Sequence, residues 1–371
     1  MGRPVVITGG GTGGHVFPMQ AIAESLRQRG LDASEVHYVG SRRGQERTLL
    51  AGDMVLTLLP GRGLRRSWRV SDLLANVGSA LGLVVALVIA QSLVARRRPS
   101  VVVSVGGYAS FAVSFAAVCW RVPLVLVDFD AVPGAAHRLL RPFAAARCTA
   151  FAQGGDNVVV TGAPLRADIE SIDRSSDARR AAKAALTPPI DPARAVVLVM
   201  TGSLGSRRVN EAVRELARAW AKRSDRALLH VTGRRDYDEF AATKPLVESL
   251  DYRVIEFGDM VELWGLCDVA ICRAGAITVA ELEVLGVPAV LVPLPGAPHD
   301  HQGKNAQALA DAGGAIVLSD AQCTGDSLAE ALEIMTSADT MEEMGRAVHA
   351  LAHPRAADAI ADVVLGIRAR E

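Results

Sequence analysis

The residues best suited to chemistry in this chain crowd the ends of two glycine-rich turns. Gly9-Gly10-Gly11-Thr12-Gly13-Gly14-His15 follows the apolar run Pro4–Thr8 and precedes a helical stretch from about Val16 to Arg29. Glycines let the chain turn tightly and let a polar ligand approach bare backbone, and a helix start favours negative charge. His15 stands at the mouth of that loop. An ordinary imidazole titrates near pH 6.5 (roughly), so a histidine there suits general-base work. The second constellation is Cys272–Glu281, CRAGAITVAE, where a strand ends at Cys272 and a helix begins near Ala276. Its N-terminal amides suit a pyrophosphate, assisted by Thr278, and Glu281 one turn on can accept from both hydroxyls of a ribose.

The strongest rival for the first loop is a nicotinamide-dinucleotide site, which calls for an acidic residue at the end of the second strand. That strand ends Tyr38-Val39-Gly40-Ser41-Arg42, with no carboxylate. Asp128-Phe129-Asp130 spells a DxD pattern, and two carboxylates at strand spacing can hold Mg²⁺ or Mn²⁺. Helix starts and backbone amides can do the phosphate work instead, so no metal site and no cofactor is expected. The five cysteines, Cys119, Cys148, Cys267, Cys272 and Cys323, are odd in number and scattered, which fits neither a disulfide framework nor a zinc knuckle.

These loops need elements to position them. The 371 residues suffice for two domains, and half of them are apolar against 22% charged, which excludes wholesale disorder. Lys plus Arg equals Asp plus Glu at 40 each, so a nucleic-acid partner is not expected. The start runs straight into a strand and leaves no room for a signal peptide, which implies a cytoplasmic protein. Short β-branched runs alternate with helical stretches, the pattern of an α/β fold with parallel sheets. Pro4–Thr8, Val36–Val39, Val101–Val105, Leu124–Val127 and Val158–Thr161 read as strands of a first sheet. Ala195–Met200, Leu228–Thr232, Arg253–Phe257, Val269–Cys272 and Ala289–Val292 read as a second.

Both halves open with strand, glycine turn, helix. The reading is therefore two Rossmann-like doubly wound domains facing across a cleft: residues 1–162, a polar and proline-containing linker over 163–194, a second domain over 195–350, and a closing helix within 351–371. That last helix carries Ile360, Val363, Val364 and Ile367 on one face.

Taken together, Gly9–Pro18, Gly106-Gly107-Tyr108, Ala131-Val132-Pro133-Gly134, Cys272–Glu281 and Asp300-His301-Gln302 with Asn305-Ala306 resemble the MurG family of N-acetylglucosaminyltransferases. Order and spacing agree from Val5 to about Gly314. The resemblance implies a GT-B fold and inverting transfer of N-acetylglucosamine from UDP-GlcNAc to undecaprenyl-pyrophosphoryl-MurNAc-pentapeptide (lipid I), giving lipid II for peptidoglycan. By that resemblance His15 is the candidate base, and Gly13, Gly14, Tyr108 and Asp130 lie on the acceptor side. Thr12, Gly13, Gly14, Arg166, Ser203, Phe257 and Gly258 are implied to contact UDP-GlcNAc. Ala276, Ile277, Thr278, Val279, Ala280 and Glu281 would take its diphosphate and ribose, and Gln302 and Asn305 its sugar hydroxyls.

Three departures stand out. The family's His-Glu-Gln-Asn is here Val127-Asp128-Phe129-Asp130, its second glycine loop is Thr201–Ser206 (TGSLGS), and Ala274 replaces a usual serine. Phe129 and Leu204 remove amides a polar ligand would use, at a cost of roughly 1 kcal/mol per lost hydrogen bond. They admit two alternatives: a diverged GT-B transferase with another glycolipid or small-molecule acceptor, or a UDP-sugar-binding protein without turnover.

Between the sheet strands, Arg62, Arg65, Arg66 and Arg69 flank Trp68, and an apolar helix runs from about Val77 to Ala95 into Arg96-Arg97-Arg98. A spanning helix there would pull the sheet apart. The composition points instead to peripheral contact of Arg65, Arg66, Trp68 and Arg69 with anionic lipid at the cytoplasmic side of the plasma membrane, which suits a lipid-linked acceptor.

Overall fold

The computed structural model describes residues 2–10, 13–42, 55–61, 70–202 and 204–370. Two compact units emerge. The first comprises Met1–Arg166 with Arg355–Glu371, the second Ala167–Pro354.

In the first unit, β1 (Val5–Thr8), β2 (Val36–Ser41), β3 (Val55–Leu59), β4 (Val101–Ser104), β5 (Leu124–Asp128), β6 (Ala146–Thr149) and β7 (Val158–Val160) form one sheet in the order β3-β2-β1-β4-β5-β6-β7. All its pairings are parallel, with Val5 opposite both Val36 and Val101. Val5, Val6, Ile7 and Thr8 have no accessible surface, as a central strand covered on both faces requires. Helices α1 (Gly13–Gln28), α2 (Val70–Arg97), α3 (Tyr108–Cys119) and α4 (Ala135–Leu140) make the crossovers. The sequence reading misses β3 and β6. Ala146–Thr149 contains a buried arginine, Arg147, and VLTLL offers too short a run to separate strand from helix.

The second unit starts with α5 (Ala167–Glu170) and α6 (Ser176–Ala185). Then come β8 (Ala195–Met200), α7 (Arg207–Ala219), β9 (Arg226–Val231), α8 (Tyr237–Ala242), β10 (Asp251–Ile255), α9 (Met260–Leu266), β11 (Val269–Cys272), α10 (Ala276–Leu285), β12 (Ala289–Leu291), α11 (His301–Asp311) and β13 (Ala315–Val317). The parallel sheet order is β10-β9-β8-β11-β12-β13. Its core gathers Val197, Val199, Val213, Leu216, Trp220 and Ile271. Helices α12 (Gly325–Met335) and α13 (Ala338–His349) complete it.

Most of the stretch read as a linker is built into this second unit. Ser175 caps α6 by accepting from the Ala178 amide. Lys183, buried, donates to Asp268 Oδ2 at 2.7 Å and to the Arg194 carbonyl at 2.8 Å, while the Val196 amide donates to the same carboxylate oxygen at 2.8 Å. The last helix, α14 (Ala356–Arg368), returns to the first unit. Asp358 accepts from Ser25 at 2.6 Å and pairs with Arg29 at 2.7 Å, and Arg368 meets Glu35 at 2.6 Å. Ala356, Ile360, Ala361 and Val364 form its buried stripe; Val363 and Ile367 are half-buried.

Candidate functional site

In each sheet the strand order reverses once, between β1 and β4 and between β8 and β11. Open parallel sheets bind ligands beyond the carboxyl ends of the strands at such a reversal. The glycine loops fall at these four strand ends.

After β1 and β4 the chain turns at Gly10, Gly106 and Gly107, all with positive φ (132°, 93° and 86°). A Cβ on Gly107 would lie 2.4 Å from the Gly10 carbonyl oxygen, so these two loops can touch only as bare backbone. That contact seats the start of α1, where His15 is half-buried with its ring centroid 5.7 Å from that of Phe129. Phe129 is itself buried, so the aromatic standing where the family has an amide packs a wall behind the imidazole.

His15, Gly106, Gly107, Asp128, Phe129 and Asp130 line a cavity of about 240 Å³, closed by Pro133–His137. Two side chains that sequence reasoning missed lie here, His137 on the cavity wall and Ser104 behind it. His137 Nδ1 is 2.6 Å from Asp128 Oδ1, and its Nε2 is 2.8 Å from Ser104 Oγ. No spacing rule links a strand-end serine to a histidine in the next helix but one, so only the fold reveals them. Asp128 is thereby engaged by an imidazole, which sets it apart from a free metal-binding carboxylate. Among the described residues, no group of three or more His, Cys, Asp or Glu side chains could hold a metal ion.

Tyr108, expected on the acceptor side, does not line this cavity. Its hydroxyl donates to the Ser79 carbonyl at 3.4 Å and packs against Gly61, where a Cβ would be 2.3 Å away. Burial raises its phenol above the ordinary value. Arg166 holds its guanidinium 5.1 Å over the Phe17 ring on α1. Thr12, and Ser203 of the second glycine loop, lie outside the described residues, as do Arg62, Arg65, Arg66, Trp68 and Arg69.

In the second unit, α10 starts at Gly275 with no side-chain cap and no acidic residue in its first turn, which leaves amide donors for an anion. Ala276, Ile277 and Thr278 carry them. The Val279 amide is already used by the Gly275 carbonyl at 2.9 Å. The Val279 and Ala280 side chains are buried beneath the helix start. Glu281 is half-buried and accepts from the Trp264 indole at 3.3 Å.

Asn305 has no accessible surface, and its amide donates to the Ala274 carbonyl at 3.1 Å, which supports the Cys272–Gly275 turn. Gln302 accepts from the Leu294 amide at 2.9 Å. Arg273, unforeseen, ties β11 to its neighbours. It donates to the Ser206 hydroxyl and to the Val292 and Pro293 carbonyls, and pairs with Asp320 at 2.7 Å.

Gly205 turns with φ 82°, and a Cβ there would meet the Thr232 carbonyl at 2.2 Å. Beneath it Asn210 donates to that carbonyl at 3.1 Å and to Asp236 Oδ2 at 2.9 Å, and its Oδ1 lies 3.0 Å from His230 Nε2. Burial pushes His230 down to about 3, which keeps this support neutral. Phe257 is exposed at the end of β10 with Arg234 5.9 Å over its ring, and Gly258 adjoins Leu263, leaving no room for a side chain.

This pair of doubly wound domains, each with a glycine turn at its switch point, matches two family models. Residues 5–149 match the glycosyltransferase family 28 N-terminal domain and residues 196–360 its C-terminal domain. The chain belongs to glycosyltransferase family 28. Its domains are those of the GT-B class.

Curated relatives of the family extend the match end to end. A protein of Salinibacter ruber is 36% identical over 99% of this chain and 97% of its own length. One of Desulforudis audaxviator is 33% identical, with 97% of both chains covered. Both are named UDP-N-acetylglucosamine--N-acetylmuramyl-(pentapeptide) pyrophosphoryl-undecaprenol N-acetylglucosamine transferase. Among solved structures, MurG of Acinetobacter baumannii aligns with a TM-score of 0.76 at 25% identity, covering 98% of this chain and 100% of that one. The calicheamicin glycosyltransferase CalG4 shares the fold, with a TM-score of 0.69 at 16% identity, over 100% of this chain and 99% of its own.

Proposed function

We propose that this glycosyltransferase moves N-acetylglucosamine from UDP-GlcNAc onto a hydroxyl of undecaprenyl-pyrophosphoryl-MurNAc-pentapeptide, with inversion, to give lipid II for peptidoglycan. The observation that carries this reading is the end-to-end match, at 33–36% identity, to relatives bearing that activity in their names. The geometry supports roles for named groups. His15, on the wall of the first unit's cavity, takes the acceptor proton as the new bond to the anomeric carbon forms. The amides of Ala276, Ile277 and Thr278 stabilise the UDP that leaves, since preorganised dipoles act where charge develops. Glu281 holds the ribose, Phe257 and Gly258 border the uracil, and Arg166, Gly13, Gly14 and Gln302 complete the donor contacts. Asp130 lies on the acceptor side. No metal is needed, because helix-start amides supply the charge stabilisation.

The enzyme works at the cytoplasmic face of the plasma membrane as a peripheral protein. Helix α2 is long and apolar enough to cross a bilayer over Ser79–Arg97, with mean hydropathy 1.9, yet it joins two strands of one sheet. Leu81, Val84, Val85 and Val88 are exposed at helical spacing, and exposed Arg96, Arg97 and Arg98 follow them. An apolar stripe edged with arginines suits an anionic lipid surface.

A different acceptor is the second reading, favoured by Phe129 and the Asp128–His137 pair in the segment where the family carries His-Glu-Gln-Asn. UDP release from UDP-GlcNAc, with and without a lipid I analogue and with EDTA in parallel, separates the two. Release that needs the analogue, survives EDTA and falls at least about 100-fold in His15→Ala supports the assignment. Release with other glycolipids alone moves the enzyme to another acceptor, and binding of UDP-GlcNAc without any release leaves a sugar-nucleotide-binding protein.

A further inference from the structure

Ser104, His137 and Asp128 come from the end of β4, the third residue of α4 and the end of β5, and all three are buried. Their hydrogen bonds, 2.8 Å and 2.6 Å long, follow the order of a nucleophilic triad. Ser104 has no accessible surface and stays off the cavity wall, so it attacks nothing. Asp128 and His137 do reach that wall.

The bonds have a direction. A carboxylate only accepts, so Nδ1 of His137 carries a proton and donates to Asp128 Oδ1. In the tautomer with its one ring proton on Nδ1, Nε2 accepts the Ser104 hydroxyl hydrogen. Every donor in the array points toward Asp128, whose other oxygen has no hydrogen-bond partner among the described residues. Across the cavity, His15 Nε2 lies 3.5 Å from the point a Gly106 Cβ would occupy, and His137 Cε1 lies 3.9 Å from that same point. The base and the array therefore face one small space.

We propose that Asp128 anchors the acceptor sugar by accepting a hydrogen bond from its C6 hydroxyl, the free hydroxyl nearest the attacking one because C3 carries the lactyl ether, with His137 and Ser104 as positioning residues. This deepens the acceptor-sugar reading above and rests on it. The array fixes the carboxylate's rotamer, so the sugar arrives with its attacking oxygen turned to His15. Phe129 contributes an apolar wall and no competing donor.

The test uses the full-length enzyme, a lipid I analogue with a short prenyl chain, and the same analogue with its C6 hydroxyl replaced by hydrogen. Asp128→Asn should lower acceptor kcat/KM roughly 10- to 100-fold, the range for a hydrogen bond to a charged group, with the KM for UDP-GlcNAc within about twofold of wild type. His137→Gln should lose less, and the double variant should be no worse than Asp128→Asn, because the histidine acts through the carboxylate. The deoxy analogue should react slowly with wild type and suffer no further loss in Asp128→Asn. Multiplying losses in the double variant, or an effect on UDP-GlcNAc in place of the acceptor, would overturn the proposal.

Proton NMR of enzyme with ¹⁵N-labelled histidine gives a readout independent of turnover. A far-downfield His137 Nδ1–H resonance, lost in Asp128→Asn, should shift when the analogue is added. A resonance absent from wild type, or unmoved by the analogue, overturns the anchor. Absent turnover with a resonance that does shift counts against the transfer reading alone.

Discussion

Replacing Leu81, Val84, Val85 and Val88 together by glutamine should detach the enzyme from membranes while leaving it folded. These positions fall at i, i+3, i+4 and i+7, one stripe of α2, and are 64%, 57%, 49% and 64% exposed. The opposite stripe, Ala86, Ala90 and Val94, is buried against Ala112, Val113 and Ala116 of α3. Small residues there let the two helices approach closely, which turns the larger side chains outward. Full burial of a valine or leucine side chain contributes about 1.5–3 kcal/mol. With roughly half of each still available to lipid, four residues supply about 4 kcal/mol, close to a thousandfold in partitioning at about 1.4 kcal/mol per decade. Arg96, Arg97 and Arg98 add up to about 1 kcal/mol each on anionic lipid. Flotation with vesicles containing anionic phospholipid measures the sum, and salt should weaken only the arginine part. The quadruple variant should lose binding at unchanged melting temperature, because none of the four packs in the core. Binding within twofold of wild type would refute the reasoning.

Two further consequences concern stability. Burial raises the Glu283 carboxyl to about 8, above its ordinary value of 4.5. Folded protein therefore holds a proton that the unfolded chain releases between those values, and stability falls as pH rises through that window. Glu283→Gln should raise the melting temperature at pH 8.5 and leave it nearly unchanged at pH 4.5; equal effects at both pH values would exclude titration as the cause. Lys183→Ala leaves the Asp268 carboxylate, which is 6% exposed, with Arg179 at 3.3 Å and the Val196 amide at 2.8 Å as its partners, and should destabilise the second unit by about 1–3 kcal/mol in urea unfolding. A loss below 1 kcal/mol would show that α6 is held by other contacts.

How much of this was legible in the sequence depends on whether a feature is local. Glycines before a helix start announce themselves, because turn chemistry and helix capping act within a few residues; Gly9–Gly14 and Cys272–Ala276 were readable for that reason. Arg273, Asn305 and the Ser104–His137 contact were not, since each joins segments separated by tens of residues. The misplaced linker has a similar cause. Thr187–Pro192 carries the composition of a boundary, yet Lys183 a few residues before it is buried by Asp268, 85 residues away. Asn305 shows the same limit from the other side: its side-chain chemistry suits a sugar, and only the fold shows its bond to the Ala274 carbonyl.

The departures from the family pattern are not equivalent once placed in the fold. Leu204 is 69% exposed beside the second glycine loop, where it neither packs nor bonds in place of the amide it replaces. Phe129 is 7% exposed and packs the His15 ring, and next to it Asp128 is bonded to His137, which is in turn bonded to Ser104. A cavity decaying toward inactivity would leave buried polar groups unpaired, because nothing would maintain the geometry that satisfies them. Here the lost amide is accompanied by two short hydrogen bonds among buried groups. An apolar wall and a carboxylate held in one rotamer are what a maintained site requires, which argues for a working enzyme.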